Sequence, residues 1–229
     1  DAGAGIGYTG IRIRGVSAQS TNITINGIPF NDAESHGAFW VNLPDFSSSI
    51  ESLQVQRGVG TSTNGSGAFG ASINILTDVV SELPYAEISN SFGSYNTRKH
   101  TIKFSTGKIN QFFELSGRLS KIDSDGYIDR AYSDLKSYFL QATFQRGNTF
   151  LKGLSFGGHE KTYQSWYGLT MDQVKENRRQ NPYTYENEID NYKQDHDQLH
   201  WKQKLNPYWS ANIGLNYTYG RGYFEQFRE

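Results

Sequence analysis

From about Leu83 onward, apolar and polar side chains alternate with period two in segments of roughly ten residues, the pattern of half-buried strands. At 209–219 the odd positions carry Trp209, Ala211, Ile213, Leu215, Tyr217 and Tyr219, and the even ones Ser210, Asn212, Gly214, Asn216 and Thr218. At 137–145, Tyr138, Leu140, Ala142 and Phe144 alternate with Ser137, Phe139, Gln141, Thr143 and Gln145. At 112–120, Phe113, Leu115, Gly117 and Leu119 alternate with Phe112, Glu114, Ser116, Arg118 and Ser120. Weaker alternation at 84–93, 97–105, 149–159 and 196–205 brings the expected strands to seven. After a short first hairpin near Gly93–Asn96, the connections alternate in length. Short ones fall at Thr106–Asn110, Arg146–Asn148 and Asn206–Tyr208, and long ones at Asp123–Asp134 and Lys161–Asp195.

The first part is organised differently. Short strands are expected near 11–14, 22–26, 50–57 and 71–76, joined by glycine-rich turns. Residues 31–49 are too long for a tight hairpin, and LPDFSSS within them suits a short helical turn. Residues 1–80 hold three Arg, no Lys and only one Tyr, whereas 81–229 carry the other 19 of the 22 basic residues. With VVSELP as a short linker, this divides the chain into a small domain over 1–80 and a strand-rich part over 81–229.

Composition narrows the class. Hydrophobic content is 36%, below the roughly 45–50% of ordinary soluble domains. A net charge of −1 gives no global field to recruit nucleic acid. There is no cysteine, so disulfides and thiolate metal sites are excluded. No apolar run approaches the ~20 residues of a membrane helix, so membrane insertion would require a closed barrel. Period two alone suits a soluble antiparallel sandwich equally well, with Leu140 and Leu215 in its core. Alternating loop lengths and a polar face bearing Glu114, Arg118, Lys202 and Lys204 favour an outer-membrane barrel. Tyr85, Phe92, Phe144, Trp201, Trp209 and Tyr219, near strand ends, would supply its aromatic girdles. Seven strands do not close such a barrel, and the opening DAGAGIGYTG has neither a basic start nor an apolar core, so the chain is expected to be part of a longer protein.

Candidate chemistry is sparse. Gly65, Gly67 and Gly70 spell G-x-G-x-x-G, but ASINIL after them reads as a strand rather than the helix a dinucleotide site needs. His196 and His200 share a strand face at a spacing of roughly 13 Å, too far for one ion with ligand bonds of about 2 Å. No nucleophile–base grouping has a convincing context, so no enzyme activity, intrinsic cofactor or metal site is expected. The segment Asn31–Trp40 combines Asn31, Asp32, Glu34 and His36 with Phe39 and Trp40, the mixture of polar groups and aromatic walls found in small-ligand pockets. In the long connection 161–195, Trp166 and Tyr167 are further candidates, and Thr170 is placed to cap a short helix over 171–179.

IRIRG (11–15), TNITINGIPFND (21–32) and VQRGVGTSTNGSGAFGASINILTD (55–78) resemble the plug motifs of TonB-dependent outer-membrane receptors. Val59, Asn64 and Ala71 depart mildly from the usual Pro, Tyr and Gly. The strand part looks like the start of that family's 22-stranded barrel, and its loops resemble receptors of the Bacteroidota branch. The resemblance implies a mostly β fold, with a small mixed α/β plug followed by about seven antiparallel transmembrane strands. It implies residence in the outer membrane of a Gram-negative bacterium, amid its lipid and lipopolysaccharide. It also implies TonB and its inner-membrane energising complex as partners, with a surface lipoprotein as a further candidate partner. The cargo it suggests is a small nutrient such as a metal chelate or siderophore, haem or cobalamin. An oligosaccharide or peptide importer, or an uncoupled adhesin or channel, are the alternatives. Within this resemblance Asn31 and Asp32 match the ligand-contacting plug loop best, and Arg14 and Arg57, expected on plug strands, match arginines that lock plug to barrel.

Overall fold

The seven alternating segments pair in chain order as one antiparallel meander. A computed structural model describes residues 5–58, 69–77 and 80–227. Its strands are β1 (Thr21–Ile25), β2 (Ile28–Pro29), β3 (Ile50–Arg57), β4 (Ala71–Thr77), β5 (Tyr85–Gly93), β6 (Thr97–Ser105), β7 (Phe113–Ser124), β8 (Ser133–Arg146), β9 (Thr149–Tyr163), β10 (Ile189–Lys204) and β11 (Ser210–Phe224), with one α-helix, α1 (Met171–Glu176). Two compact units result. One is Gly10–Trp40 with Asp45–Val79; the other is Val80–Glu229 joined by Asp1–Thr9 and Val41–Pro44.

The smaller unit holds a four-stranded sheet in the order β2-β1-β4-β3. Asn26 and Gly27, both at positive φ (55° and 81°), turn β1 into β2, the backbone a type I′ hairpin turn demands. β1 runs parallel to β4, and Asn26 ties the two ends together through Thr77, whose backbone amide and hydroxyl both reach its side-chain oxygen. Ile23, Ile25, Ile73 and Ile75 are buried. The strand expected at 11–14 does not form. Arg14 and Gly15 both take left-handed φ (55° and 76°), so the segment folds back on itself through a single Ile13–Val16 bridge. Arg14 is therefore on a turn, a correction to its expected strand position. Arg57 does lie on β3, and both guanidinium groups are exposed without an ion pair among the described residues. LPDFSSS forms the expected turn, a 3-10 helix over Phe46–Ser49. Gly65, Gly67, Val59 and Asn64 lie outside the described residues. Gly70 leads into β4, a strand as expected.

In the larger unit the two faces of the sheet are inverted relative to a soluble domain. Glu114, Ser116, Arg118 and Ser120 on β7, and Ser137, Gln141 and Thr143 on β8, are buried. Their neighbours on the opposite face, Leu115, Leu119 and Leu140, are 38%, 54% and 41% exposed, and Leu199, Ile213 and Leu215 on β10 and β11 are exposed as well. Leaving such a side chain in water forgoes about 1.5–3 kcal/mol relative to burying it. A whole face of them is stable only against lipid. Exposure of Leu140 and Leu215 overturns the sandwich alternative.

Buried polar groups on the inner face are paired. The Glu114 carboxylate accepts from the Ser105 hydroxyl (2.7 Å), the Ser81 amide (3.1 Å) and the Thr143 hydroxyl (3.3 Å). Segment Val41–Pro44 lies against the same wall. The Pro44 carbonyl accepts from Ser137 Oγ (2.5 Å) and from the Arg118 guanidinium (3.5 Å). A Cβ on Gly158 would stand 2.3 Å from the Asn42 carbonyl, so only glycine admits this approach.

The strands outrun their sequence pattern at one end. β7 and β8 extend to Ser124 and Ser133, and β9 and β10 to Tyr163 and Ile189, which shortens the long connections expected at 123–134 and 161–195. Pairing continues there while both faces become polar, so alternation marks where lipid lies rather than where the strand stops. Of the expected girdle, Phe144, Trp201 and Tyr219 face outward. Tyr85 does not, because it is paired with inward-facing Ser105.

Candidate functional site

In the smaller unit, the loop after β2 is built by its own polar groups. Asn31 Oδ1 accepts from the Ile23 amide (2.7 Å), and its Nδ2 donates to the Thr21 and His36 carbonyls (both 2.9 Å). Asp32 Oδ1 accepts from the Ser35 amide (2.7 Å), the Ser35 hydroxyl (2.9 Å) and the Glu34 amide (3.0 Å). The Ser35 backbone amide, foremost among these donors, holds the Asp32 carboxyl below its usual range. The His36 amide donates to the Asp32 carbonyl, closing a turn in which His36 has φ 58°. Asn31 and Asp32 are thus committed to the framework. The groups left facing outward are Glu34, His36 and Phe39, the last 51% exposed. Trp40 instead stacks on Phe30, with ring centroids 5.7 Å apart.

In the larger unit, the connection between β9 and β10 has its own core of Tyr163, Tyr183 and Ile189. Asn181 and Arg130 stitch it to the neighbouring loop. Asn181 Nδ2 donates to the Gln164 and Asp129 carbonyls (both 3.0 Å). The Arg130 guanidinium donates to the Tyr183 (2.6 Å) and Asn181 (2.8 Å) carbonyls. Thr170 caps α1 with a full capping box to Gln173, as its position suggested, though α1 ends at Glu176. Trp166 and Tyr167 sit at the loop surface, 45% and 64% exposed.

Trp166 also touches a segment that the sequence did not single out. Its ring meets Tyr8 edge to face at 5.9 Å, and the Tyr8 hydroxyl donates to Asp190, with buried Glu160 alongside. Burial first, then the Glu160 and Asp190 carboxylates, push the Tyr8 hydroxyl well above its ordinary pKa. The next residue back but one, Ile6, accepts from Ser133 Oγ (3.2 Å). Residues 5–9 are thereby clasped to the ends of β8, β9 and β10. One clue was present in the sequence: Glu160 occupies an inward position of an alternating strand, and a carboxylate there needs a donor.

A second feature at the same rim is a cavity of about 390 Å3 lined by Tyr95, Asp125, Asp129, Arg130, Tyr132 and Arg179, among others. Arg179 lies over the Tyr95 and Tyr127 rings at 5.6 and 5.9 Å and pairs with Asp129 at 3.5 Å. The two histidines of β10 point inward but serve the wall. His196 stacks on Phe156 (5.0 Å) and shares a hydrogen bond with Thr218, and His200 shares one with Gln198. Among the described residues no group of three or more His, Asp or Glu could hold a metal ion.

Residues 1–72 match the TonB-dependent Receptor Plug Domain family model. A search of curated proteins gives no match. Similar solved structures include the ferric citrate transporter FecA in its unliganded form (TM-score 0.75, 17% identity, 96% of this chain and 35% of that one). The ferric-catecholate import receptor Fiu from E. coli K12, in its open form, is similar with TM-score 0.73 and 16% identity over 92% of this chain and 33% of that one. The siderophore receptor PiuA from Acinetobacter baumannii gives 0.70 and 14% over 95% and 32%. At these identities the likeness establishes fold, and the chain spans about a third of each of these proteins.

Proposed function

Since the chain is a TonB-dependent receptor by its plug segment and its fold, comprising plug and first barrel strands, we propose that it belongs to an outer-membrane importer of a scarce nutrient and not to an enzyme. In this reading residues 1–80 are plug and 81–229 are barrel wall. The observation that carries it is the conjunction of a plug match over 1–72 with a strand wall whose polar face is buried and whose apolar face is exposed. TonB, with its inner-membrane energising complex, would rearrange the plug. The cargo class we favour is a metal chelate, by analogy with the ferric citrate and ferric-catecholate receptors of like fold. Glu34, His36 and Phe39 are proposed as ligand-facing groups of the plug loop, with Asn31, Asp32 and Trp40 holding its shape. Trp166 and Tyr167 are proposed separately as ligand-facing groups of the external loop. Arg14 and Arg57, both exposed, are proposed to meet acidic partners on the barrel wall. A second reading, import of an oligosaccharide, is favoured by one observation: exposed Trp166 and Tyr167 offer flat aromatic faces on which sugars stack.

The test is uptake by cells expressing the full-length receptor, with and without TonB. A panel of radiolabelled ferric chelates and of labelled oligosaccharides is offered. TonB-dependent accumulation of a ferric chelate supports the first reading. Accumulation of an oligosaccharide alone replaces it with the second, and TonB-independent passage contradicts both. His36→Ala and Glu34→Gln are expected to weaken cargo binding without lowering the yield of folded receptor. Asp32→Ala is a poorer probe, because it removes the acceptor that shapes the loop.

A further inference from the structure

The outward face of the larger sheet carries one row unlike the rest. His100, Lys121, Lys136, His159, Lys193 and Arg221 are successive cross-strand partners on β6 through β11: His100 opposite Lys121, Lys121 opposite Lys136, Lys136 opposite His159, His159 opposite Lys193 and Lys193 opposite Arg221. All six therefore stand at one height on the side that bears Leu119, Leu140 and Leu215. Four are permanent cations and two are imidazoles.

The height of the row is set by the strand geometry. Below it come four outward rows dominated by aliphatic and aromatic side chains, from Phe144, Leu151, Trp201 and Ile213 up to Ile102, Leu119, Tyr138 and Tyr219. Lys193 is ten residues above Gln203, which begins the opposite rim. Ten residues span about 34 Å along a strand at ~3.4 Å each, or about 25 Å along a barrel axis at the usual tilt. That is the height of the apolar band of outer-membrane barrels. The basic row thus lies at one lipid–water boundary, on the end carrying the longer loops. The opposite boundary has no counterpart: the outward positions there are Arg146, Thr149, Gln203 and Ala211.

Like charges directly opposite on neighbouring strands destabilise a sheet. Lys121 with Lys136, and Lys193 with Arg221, break that rule side by side. Local carboxylates offset only part of the charge. Lys121, Lys136 and Lys193 have Asp123, Asp134 and Asp195 at 2.7, 4.0 and 3.2 Å, all partly exposed, and exposed pairs of this kind contribute little and exchange readily. Arg221 has no ion pair among the described residues. The row above adds Arg98 and Lys161.

We propose that this row is a docking site for the phosphate groups of a phosphorylated glycolipid of the outer leaflet, lipopolysaccharide, whose acyl chains lie on the apolar rows below. The inference rests on the outer-membrane reading above. Charge complementarity selects the occupant: a multiply anionic headgroup at this depth is the one species that relieves the repulsion while its tails cover the leucines.

The test uses the full-length receptor in detergent, titrated with purified lipopolysaccharide and with the same material dephosphorylated. Retention of the folded barrel is followed by its altered gel mobility without boiling. The account predicts that lipopolysaccharide binds with salt-sensitive affinity and that dephosphorylation weakens binding at least tenfold. It predicts a similar loss in a Lys121→Gln, Lys136→Gln, Lys193→Gln, Arg221→Gln variant, and no change in Arg146→Gln at the opposite rim. Equal binding of the dephosphorylated lipid to the unaltered receptor overturns the proposal even if the quadruple variant does not fold. So does unchanged binding by a folded quadruple variant. In either case a folded barrel leaves the outer-membrane reading standing.

Discussion

The two faces of the β5–β11 sheet share a backbone and differ in everything else. Inward, Glu114 and Arg118 are each 1% exposed and held by hydroxyls, amides and the Pro44 carbonyl. Outward, the leucines one residue away touch nothing within the described residues that would exclude water. A soluble sheet buries its apolar face because water surrounds it. Here the polar face is the covered one, so the solvent on the other side must be apolar. The difference identifies the surroundings of the wall without reference to any cargo.

The sharpest way to break this comparison is to place the same charge on both faces. Leu215→Arg is expected to lower the stability of the full receptor in lipid by about 2–4 kcal/mol, the cost of arginine on the lipid side of a barrel. Asn216→Arg, one residue on and facing inward, should cost well under half of that. Denaturant titration in liposomes measures both, and equal costs would remove the distinction. A smaller effect is expected at Gly158. An added methyl meets the Asn42 carbonyl, so Gly158→Ala should cost about 1–3 kcal/mol as overpacking and raise proteolysis near 41–44. The outward neighbour Gly153, where a Cβ meets nothing, should accept alanine. Tyr8→Phe removes the donor to Asp190 and should loosen residues 5–9, seen as faster hydrogen exchange there, at a cost of about 1–3 kcal/mol for a buried acceptor left unpaired. The smallest effect concerns Asp32. Its folded pKa lies below the ordinary value of 3.8, so its contribution to the loop is fully present above that value and is lost as pH falls through the lowered pKa. Exchange protection of the Ser35 amide should therefore be flat from pH 7 to 5 and decline only in stronger acid. A decline near neutrality would mean that His36, rather than Asp32, governs the loop.

The strands were legible in the sequence wherever lipid forces alternation. Leu115, Leu140 and Leu215 each sit between polar neighbours, and the sheet puts them outward. The upper extensions of β7 to β10 were illegible because Lys136, His159 and Asp134 obey no apolar periodicity while the backbone ladder continues. Period two at IRIR suggested a strand, but a left-handed Arg14–Gly15 pair turns it back. Thr170 as a helix cap could be read because capping is local. The Tyr8–Asp190 contact could not, since 182 residues separate its partners. For the plug loop, residue types pointed to ligand chemistry at Asn31 and Asp32. The geometry spends those two side chains on the loop itself and leaves Glu34, His36 and Phe39 free.

The most direct test of the central claim is residue-by-residue quenching in the full receptor in lipid. Single cysteines placed at 140, 141, 215 and 216 carry a fluorescent label, this chain having no cysteine of its own. The account predicts that labels at 140 and 215 are quenched by lipid-borne quenchers and shielded from aqueous ones, with the labels at 141 and 216 untouched by the lipid-borne quencher. Lipid quenching at 141 and 216 in place of 140 and 215, or at none of the four, would contradict it.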